Sequence, residues 1–258
     1  MPMETLSANP EQASPVSVTA AILVVGDEIL SGRTKDKNIG YITEFLTGAG
    51  VDVKEVRVVP DEEERIVEAV NALRARYDYV LSTGGIGPTH DDITADSVAK
   101  AFGVGIEIDQ RAVEVMTRHY GGAANLTPAR LRMARIPDGA ELVDNPVSAA
   151  PGFMLGNVIV MAGVPNIMQR MLDNAILRMR TGAITLSDSV SPGPGIGEGA
   201  VAEPLAAIAL AHPEVSIGSY PSFGPAGFQT QLVIRGKDAA KVAAAKADIE
   251  AMVATIKR

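Results

Sequence analysis

The sequence predicts an α/β fold, in which a mostly parallel sheet is covered by helices on both faces, followed by a small α+β domain. Apolar runs of strand length alternate with segments whose apolar residues recur at helical spacing. Glycine and proline separate these segments, and a glycine- and proline-rich stretch after Thr181 interrupts the alternation. Strands joined through helices require right-handed crossovers, which place a parallel sheet between two helical layers.

The first strand is predicted over residues 18–25, "VTAAILVV", a nearly continuous apolar run typical of a strand buried on both faces. The polar loop "GDEILSGRTKD" leads to a helix over "NIGYITEFLTGAG". The second strand is "VDVKEVRVV" and its helix is "EEERIVEAVNALRARY". The third strand, "YDYVLST", precedes a glycine loop and a helix over "ADSVAKAFG".

Two further helices fit "DQRAVEVMTRHYGG" and "TPARLRMAR", the second with Thr127 as N-cap and Pro128 at its first position. "FMLGNVIVMAGVP" predicts two antiparallel strands joined by a Gly156–Asn157 turn, and "NIMQRMLDNAILRMR" predicts the helix that closes this domain. The predicted limits are a flexible tail (1–17), the large domain (18–180) and the small domain (182–258). The small domain is expected to run strand, helix, strand, strand, helix.

Composition excludes several classes of function. The 258 residues carry a net charge of −8, which argues against a nucleic-acid partner, because binding a polyanion needs a basic face. The absence of cysteine excludes disulfides, thiolate metal sites and a cysteine nucleophile. The N-terminal segment has no apolar core of a signal peptide, and no apolar run is long enough to span a bilayer. We therefore expect a cytoplasmic protein without a membrane partner.

Acidic residues follow each of the first three strands. Asp27 and Glu28 follow the first strand, Asp61 the second, and Asp91 and Asp92 lie in the loop after the third. The carboxyl ends of parallel strands share one edge of a sheet, where ligands gather. Carboxylates beside an anion site favour a divalent cation between acids and phosphate oxygens. We predict metal ligands at Asp27, Glu28, Asp91 and Asp92, and catalytic roles for Asp92 and Asp61.

The loop "STGGIGPTHDDIT" combines three glycines with two acids. Glycines allow a backbone to approach an anion closely, and the helix that follows directs its positive end toward the anion. The loop suits a phosphorylated small molecule, a nucleotide or a pterin, carried with Mg²⁺, Mn²⁺ or Co²⁺. The predicted ligand-binding residues are Gly26, Gly84, Gly85, Gly87, Thr89 and Thr94.

Each acid also has a structural interpretation. Asp61 with Glu64 fits a capping box, and Asp92 with Thr94 fits another capping arrangement. Asp27 and Glu28 fit solvated loop charges. Asp36 in "KDKN" fits the start of a helix. Five arginines fit a solvated helical surface better than a phosphate site: Arg111, Arg118, Arg130, Arg132 and Arg135.

The sequence lacks the phosphate loop of kinase-like enzymes, an early dinucleotide-binding glycine motif and the serine-hydrolase elbow. A distinctive set of other motifs is present: "GDEILSG" with "DKN", "VVPDEEERI", "STGGIGPTHDDIT", "RMARIPDGAELVDNP", "APGF" and "AGVP". In order and spacing the chain from residue 18 to about 178 resembles molybdopterin-binding (MoaB/Mog-like) domains, in the branch that begins CinA-type competence/damage-inducible proteins. The segment from about 182 resembles the small KH-like domain of those proteins.

This resemblance implies a three-layer αβα sandwich with a crevice for a pterin or a nucleotide pyrophosphate. Similar domains bind molybdopterin, and those of CinA proteins and eukaryotic FAD synthases are described as metal-dependent hydrolases of nucleotide diphosphates. Asp61 and Asp92 match aspartates with assigned function in the molybdopterin branch. We expect an ADP-ribose pyrophosphatase type of hydrolase that releases AMP. The alternatives are a non-catalytic module that binds molybdopterin or a nucleotide, and an enzyme of molybdenum cofactor biosynthesis.

The chain also departs from the pattern. The resemblance does not extend to the CinA amidohydrolase domain that deamidates nicotinamide mononucleotide, so that activity is not expected. Relatives often place a glutamate after "GVP", where this chain has Asn166, Ile167 and Met168. If that acid helps to bind metal or ligand, its absence weakens the case for turnover. Relatives form dimers or trimers, so we expect a homo-oligomer.

Overall fold

The computed structural model describes residues 16–224 and 227–256. The predicted flexible tail lies outside the described residues, except for Val16 and Ser17. Contacts divide the described chain into two compact units, one from Ser17 to Gly182 and one that begins at Ala183. The sequence placed this division at residue 181. Each unit has its own hydrophobic core.

The first unit alternates strands and helices, as its apolar pattern predicts. Its strands are β1 (Val18–Val25), β2 (Val51–Val59), β3 (Tyr79–Thr83), β4 (Ile106–Ile108), β5 (Arg135–Pro137), β6 (Glu141–Val143), β7 (Gly152–Leu155) and β8 (Val158–Met161). Its helices are α1 (Asp27–Leu30), α2 (Asn38–Gly48), α3 (Glu63–Arg74), α4 (Thr94–Phe102), α5 (Gln110–Tyr120), α6 (Pro128–Arg132) and α7 (Pro165–Ala175).

The main sheet has the strand order β2-β1-β3-β8-β7-β6. The first four of these strands run parallel, and β7 and β6 add an antiparallel margin. The predicted turn at Gly156–Asn157 connects β7 to β8, and Gly156 has a φ of 57°. The prediction of a mostly parallel sheet is confirmed.

Strand β1 shows why the sheet is covered on both faces. Its side chains alternate: Leu23 packs into a core with α3 and α4, and Ile22 packs into a second core with α2 and α7. Both side chains are fully buried. Because a strand exposes successive residues on opposite faces, an unbroken apolar run requires a helical layer on each side. The three-layer αβα sandwich is confirmed.

The sequence correctly predicted where helix α6 begins but did not predict several shorter elements. Thr127 is the N-cap of α6, where its side chain accepts a hydrogen bond from the amide of Arg130, and Pro128 occupies the first turn. The short helix α1 lies in a segment predicted to be a loop, and strands β4, β5 and β6 were not predicted. Elements of three or four residues are too short to show a hydrophobic period.

The second unit is the predicted small α+β domain. Its elements are β9 (Leu186–Val190), α8 (Glu198–Ala211), β10 (Ser216–Gly224), β11 (Gly227–Gly236) and α9 (Ala239–Ile256). The three strands form an antiparallel sheet in the order β10-β11-β9. Its core includes Val201, Leu232, Ile234 and Ile249. None of the helices described in either unit is both long and apolar enough to cross a membrane.

Candidate functional site

The carboxyl ends of four parallel strands lie side by side in the first unit. Strands β2, β1, β3 and β8 are consecutive neighbours, so the loops that follow them emerge at one edge of the sheet. These loops carry the acids of the first three strand ends and a glycine segment after β8. The parallel topology therefore places the predicted site residues along a common edge.

The loops after β1 and β2 are joined by hydrogen bonds. The Asp27 amide donates to Asp61 Oδ2 at 3.0 Å, and the Gly26 amide donates to the Val59 carbonyl at 3.1 Å. Helix α3 begins at Glu63, and its N-cap residue forms no side-chain cap. The capping interpretation of Asp61 is therefore wrong, because its carboxylate faces the neighbouring loop.

Acids of the neighbouring loops act electrostatically on Asp61. Burial is the main cause that raises the pKa of Asp61, and the hydrogen bond from Asp27 opposes it. The negative charges of Asp27, Glu28 and Asp91 raise the pKa of Asp61 further. A proton or a cation placed among these carboxylates would relieve this repulsion.

The same acids have the donor chemistry that a hard divalent cation requires. Within residues 16–224 and 227–256, no three His, Cys, Asp or Glu side chains are arranged to hold one metal ion. Mg²⁺ is usually bound through one or two carboxylates, with substrate phosphates and water as further ligands. Carboxylates at Asp27, Glu28, Asp61 and Asp91 fit that mode. Metal binding, including the role assigned to Asp92, stays a prediction.

Gly84 and Gly85 in the loop after β3 lie so close to other protein atoms that neither position has room for a Cβ atom. Gly84 has a φ of 99°, and a Cβ there would lie 2.1 Å from the Val25 carbonyl oxygen. Gly85 has a φ of 67°, and its Cβ would lie 2.1 Å from Thr94 Oγ1. Close packing of the loop against β1 and α4 therefore explains both glycines, before any ligand is considered.

Thr94, the first residue of helix α4, connects this loop to the helix through hydrogen bonds. Its hydroxyl donates to the Gly84 carbonyl at 3.0 Å, and its amide donates to the Gly85 carbonyl at 3.0 Å. The side chain is fully buried. These contacts give the Thr94 side chain a structural role, and its role in ligand binding stays a prediction.

Asp92 is turned toward its own loop. Its Oδ2 accepts from the Thr89 amide at 2.8 Å and from the Thr89 hydroxyl at 2.5 Å. A Cβ on Gly87 would lie 2.6 Å from the same oxygen, so glycine leaves room for the carboxylate. Helix α4 has Ile93 as N-cap without a side-chain cap, so the capping interpretation of Asp92 is wrong. A hydrogen bond with Thr89 is also the main cause that lowers the pKa of Asp91.

Two cavities flank the glycine loop. The first, the strand-end cavity, has a volume of about 220 Å³. It is lined by Val24, Val25, Glu28, Ile29, Thr34, Lys35, Asp36, Lys37, Asn38, Thr83, Gly84, Gly163 and Pro165. The second, the arginine pocket, has a volume of about 20 Å³ and includes Gly85, Gly87, Asp92, Arg132 and Arg135. The structure thus divides the predicted residues, with Glu28 and Gly84 in one cavity and Gly87 and Asp92 in the other.

Most residues of the strand-end cavity were not predicted as site residues, and among them are Lys35, Lys37, Asn38 and Thr83. The two lysines are exposed, whereas Asn38 is 4% exposed and Thr83 is fully buried. The available signal was "KDKN" in the loop after the first strand, which was interpreted as a helix start. That interpretation is correct for Asp36, whose Oδ1 accepts from the Ile39 amide at 2.8 Å.

The arginines are engaged within the protein. Arg132 donates to the Asp92 carbonyl at 3.1 Å, and Arg135 forms two hydrogen bonds with Asp96, at 2.8 and 2.6 Å. Arg111 pairs with Asp109. His90, in the loop after β3, is exposed. The interpretation as a solvated surface residue is therefore correct for the exposed Arg111. It is wrong for Arg132 and Arg135, which are half-buried and line the arginine pocket, where Arg132 Nε has no partner among the described residues.

A parallel sheet whose carboxyl edge carries clustered acids, a glycine loop and an adjoining cavity defines a small-molecule-binding αβα domain. Comparison with known proteins identifies which one. Residues 21–181, more than half of the chain, match the family described as "Probable molybdopterin binding domain". The chain belongs to this MoaB/Mog-like family. Residues 195–257 match the family described as "FAD synthase, middle domain", and the KH-like resemblance of this segment stays a prediction.

The relatives include CinA-type proteins. A protein of Archaeoglobus fulgidus is 34% identical over 232 residues, which cover 90% of this chain and 96% of the relative. A "CinA-like protein" of Citrifermentans bemidjiense is 40% identical over 167 residues, which cover 63% of this chain and 40% of the relative. The crystal structure of a Thermoplasma acidophilum CinA protein "with unknown function" is 39% identical, with a TM-score of 0.58, over 63% of this chain and 97% of that chain.

Proposed function

We propose that this protein binds a nucleotide diphosphate at the carboxyl edge of its parallel sheet and hydrolyses the pyrophosphate bond, with ADP-ribose as the model substrate. The observation that carries this proposal is the cluster of Asp27, Glu28 and Asp91 around the partly buried Asp61, whose pKa is raised. Mutual repulsion of this kind is relieved by a divalent cation, which a pyrophosphate substrate brings with it.

The chain's own residues supply positioning and charge in this proposal. Asp61 and Asp92 are the candidates to orient the attacking water, and a carboxylate takes up the proton that the water loses. Lys35 and Lys37 at the rim of the strand-end cavity offer positive charge to the phosphates. Water adds to one phosphorus, the bridging P–O bond breaks, and AMP leaves with a second phosphate ester. A bound metal ion would neutralise phosphate charge.

The experiment that tests the proposal is chromatographic detection of AMP after incubation with ADP-ribose, FAD or NAD. Mg²⁺, Mn²⁺ and Co²⁺ are supplied separately, and a chelator is the control. We expect AMP release that depends on the cation and is lost in Asp61→Asn. Release of AMP that persists with excess chelator would contradict the metal-dependent hydrolase.

A second candidate function is a module that binds molybdopterin or a nucleotide without cleaving it. Helix α7 begins at Pro165, which lines the strand-end cavity, and its first turn carries Asn166 and no acid. The amide at this position favours binding over turnover if relatives use a glutamate there. Calorimetry with intact nucleotide separates the two functions, because saturable binding without product supports the module. Molybdenum cofactor synthesis is the third candidate, tested by complementation of a strain that lacks that step.

A further inference from the structure

Two oxygen atoms on residues that line the strand-end cavity lack a hydrogen-bond partner. They are Asn38 Oδ1 and Thr83 Oγ1, and neither is paired with any atom of residues 16–224 and 227–256. Their residues are 4% and 0% exposed. A buried polar group without a partner costs about 1–3 kcal/mol, so two such groups beside one cavity indicate that a ligand completes them.

The orientation of Asn38 defines what this ligand must offer. Its Nδ2 donates to the Gly163 carbonyl at 2.8 Å. A carbonyl oxygen can only accept, so the amide nitrogen must face Gly163, and Oδ1 is left as an acceptor. The Thr83 hydroxyl can both donate and accept. The pair therefore suits a ligand edge with at least one N–H or O–H donor.

The other walls of the cavity favour a flat ring. Val25, Ile29 and Pro165 contribute apolar surface. A volume of about 220 Å³ is below the roughly 300–1,000 Å³ of sites that bury a whole drug-sized ligand. The two lysines at the rim match an anionic group outside the ring-sized space.

We infer that the strand-end cavity holds an amino-substituted nitrogen heterocycle, with the amino group donating to Asn38 Oδ1 and an adjacent ring atom pairing with the Thr83 hydroxyl. A purine and a pterin share this chemistry. The inference rests on the proposed function, because it states which part of the ligand the same site holds. Solvent does not reach either oxygen in the free protein, so the side chains around them must shift when the ring binds.

The neighbouring residue on β3 provides a matched control. Ser82 is also fully buried, and its hydroxyl has no partner among the described residues. It pairs in register with Leu23 and Val160, whereas Thr83 pairs with Val24 and Met161, so the two hydroxyls occupy opposite faces of the sheet. Thr83→Val and Ser82→Ala each remove one unpaired buried hydroxyl, but only the first changes the cavity.

The test measures stability and binding on the full chain. Both substitutions are expected to raise the melting temperature of the free protein, because each removes an unsatisfied group. In calorimetry with Mg²⁺, Thr83→Val is expected to weaken binding of the preferred probe by about five- to tenfold, the loss of one hydrogen bond, while Ser82→Ala leaves it unchanged. The probes are AMP and neopterin, and the one that binds more tightly identifies the ring.

A comparison of ligands keeps the test valid if Thr83→Val does not fold. Purine riboside 5′-monophosphate lacks the amino group of AMP and is expected to bind the wild-type protein at least fivefold more weakly, if the purine is the preferred ring. The inference is overturned if the preferred probe binds the wild-type protein and the Thr83→Val variant with equal affinity. It is also overturned if neither AMP nor neopterin binds at millimolar concentration. Binding that depends on Thr83 without AMP release from ADP-ribose supports the inference and overturns only the hydrolase.

Discussion

The Asp27 amide and the Asp61 carboxylate form a hydrogen bond of 3.0 Å that joins the loops after β1 and β2. This bond holds a carboxylate in place at the edge where three acidic loops meet. It offsets part of the cost of burying that carboxylate beside other acids. Its position makes Asp61 the most direct probe of the proposed site.

Asp61→Asn is expected to stabilise the free protein at neutral pH. The pKa of Asp61 is raised above its ordinary value of 3.8 in the folded state, so its contribution to stability is fully present below about pH 4 and is lost as the pH rises through the raised value. An asparagine keeps an acceptor for the Asp27 amide and carries no charge. Urea unfolding between pH 4 and 8 should show a gain for the variant that grows with pH.

The control for this prediction is Asp173→Asn, which changes an exposed aspartate on α7. A divalent cation adds a second readout, because a ligand at ten times its Kd stabilises the folded state by about 1.4 kcal/mol. Mg²⁺ should raise the melting temperature of the wild type more than that of Asp61→Asn. An equal rise in both proteins would remove Asp61 from the cation site.

Gly84→Ala is expected to destabilise the protein by about 2–4 kcal/mol, from left-handed backbone strain and from overpacking against β1. The added Cβ would lie 2.1 Å from the Val25 carbonyl oxygen. Gly139→Ala is the matched control, since Gly139 has a φ of 80° and open space around its Cβ position. It should cost only about 1–2 kcal/mol. Similar urea midpoints for the two variants would show that the contact with β1 is unimportant.

Asp92→Asn separates a structural role from a catalytic one. The asparagine oxygen can still accept from the Thr89 amide and hydroxyl, so the change in unfolding free energy should stay below about 1 kcal/mol. If Asp92 orients water or metal, AMP release should fall at least about a hundredfold. Full cation-dependent turnover in this variant would leave Asp92 with the loop-holding role alone.

Asn166→Glu is expected to strengthen cation binding. Asn166 is exposed in the first turn of α7, next to the cavity residue Pro165. A carboxylate there should lower the Kd for Mn²⁺ by about tenfold, equivalent to about 1.4 kcal/mol. Asn166→Gln is the matched control, because it has the size of glutamate without the charge. If both variants bind Mn²⁺ as the wild type does, this position lies outside the cation site.

The local signals of the sequence were sufficient for most of the architecture. The apolar run of β1 predicts burial on both faces, Thr127 and Pro128 predict where α6 begins, and the Gly156–Asn157 turn predicts the β7–β8 hairpin. Each of these features depends on neighbours within a few residues, where steric and hydrogen-bonding preferences act directly. The parallel order of the first strands also predicted that their acidic loops would share an edge.

The tertiary structure alone decided how the side chains at that edge are used. Asp61 accepts a hydrogen bond from Asp27, 34 residues away in sequence, instead of capping its own helix. Thr94 is buried, and its hydroxyl donates a hydrogen bond to the glycine loop. Asn38 and Thr83 belong to different elements and line one cavity only because α2 packs beside the end of β3. The hydrogen-bond partners of buried groups are atoms that chain packing brings together from distant parts of the sequence. The spacing of apolar residues along the sequence does not specify these partners.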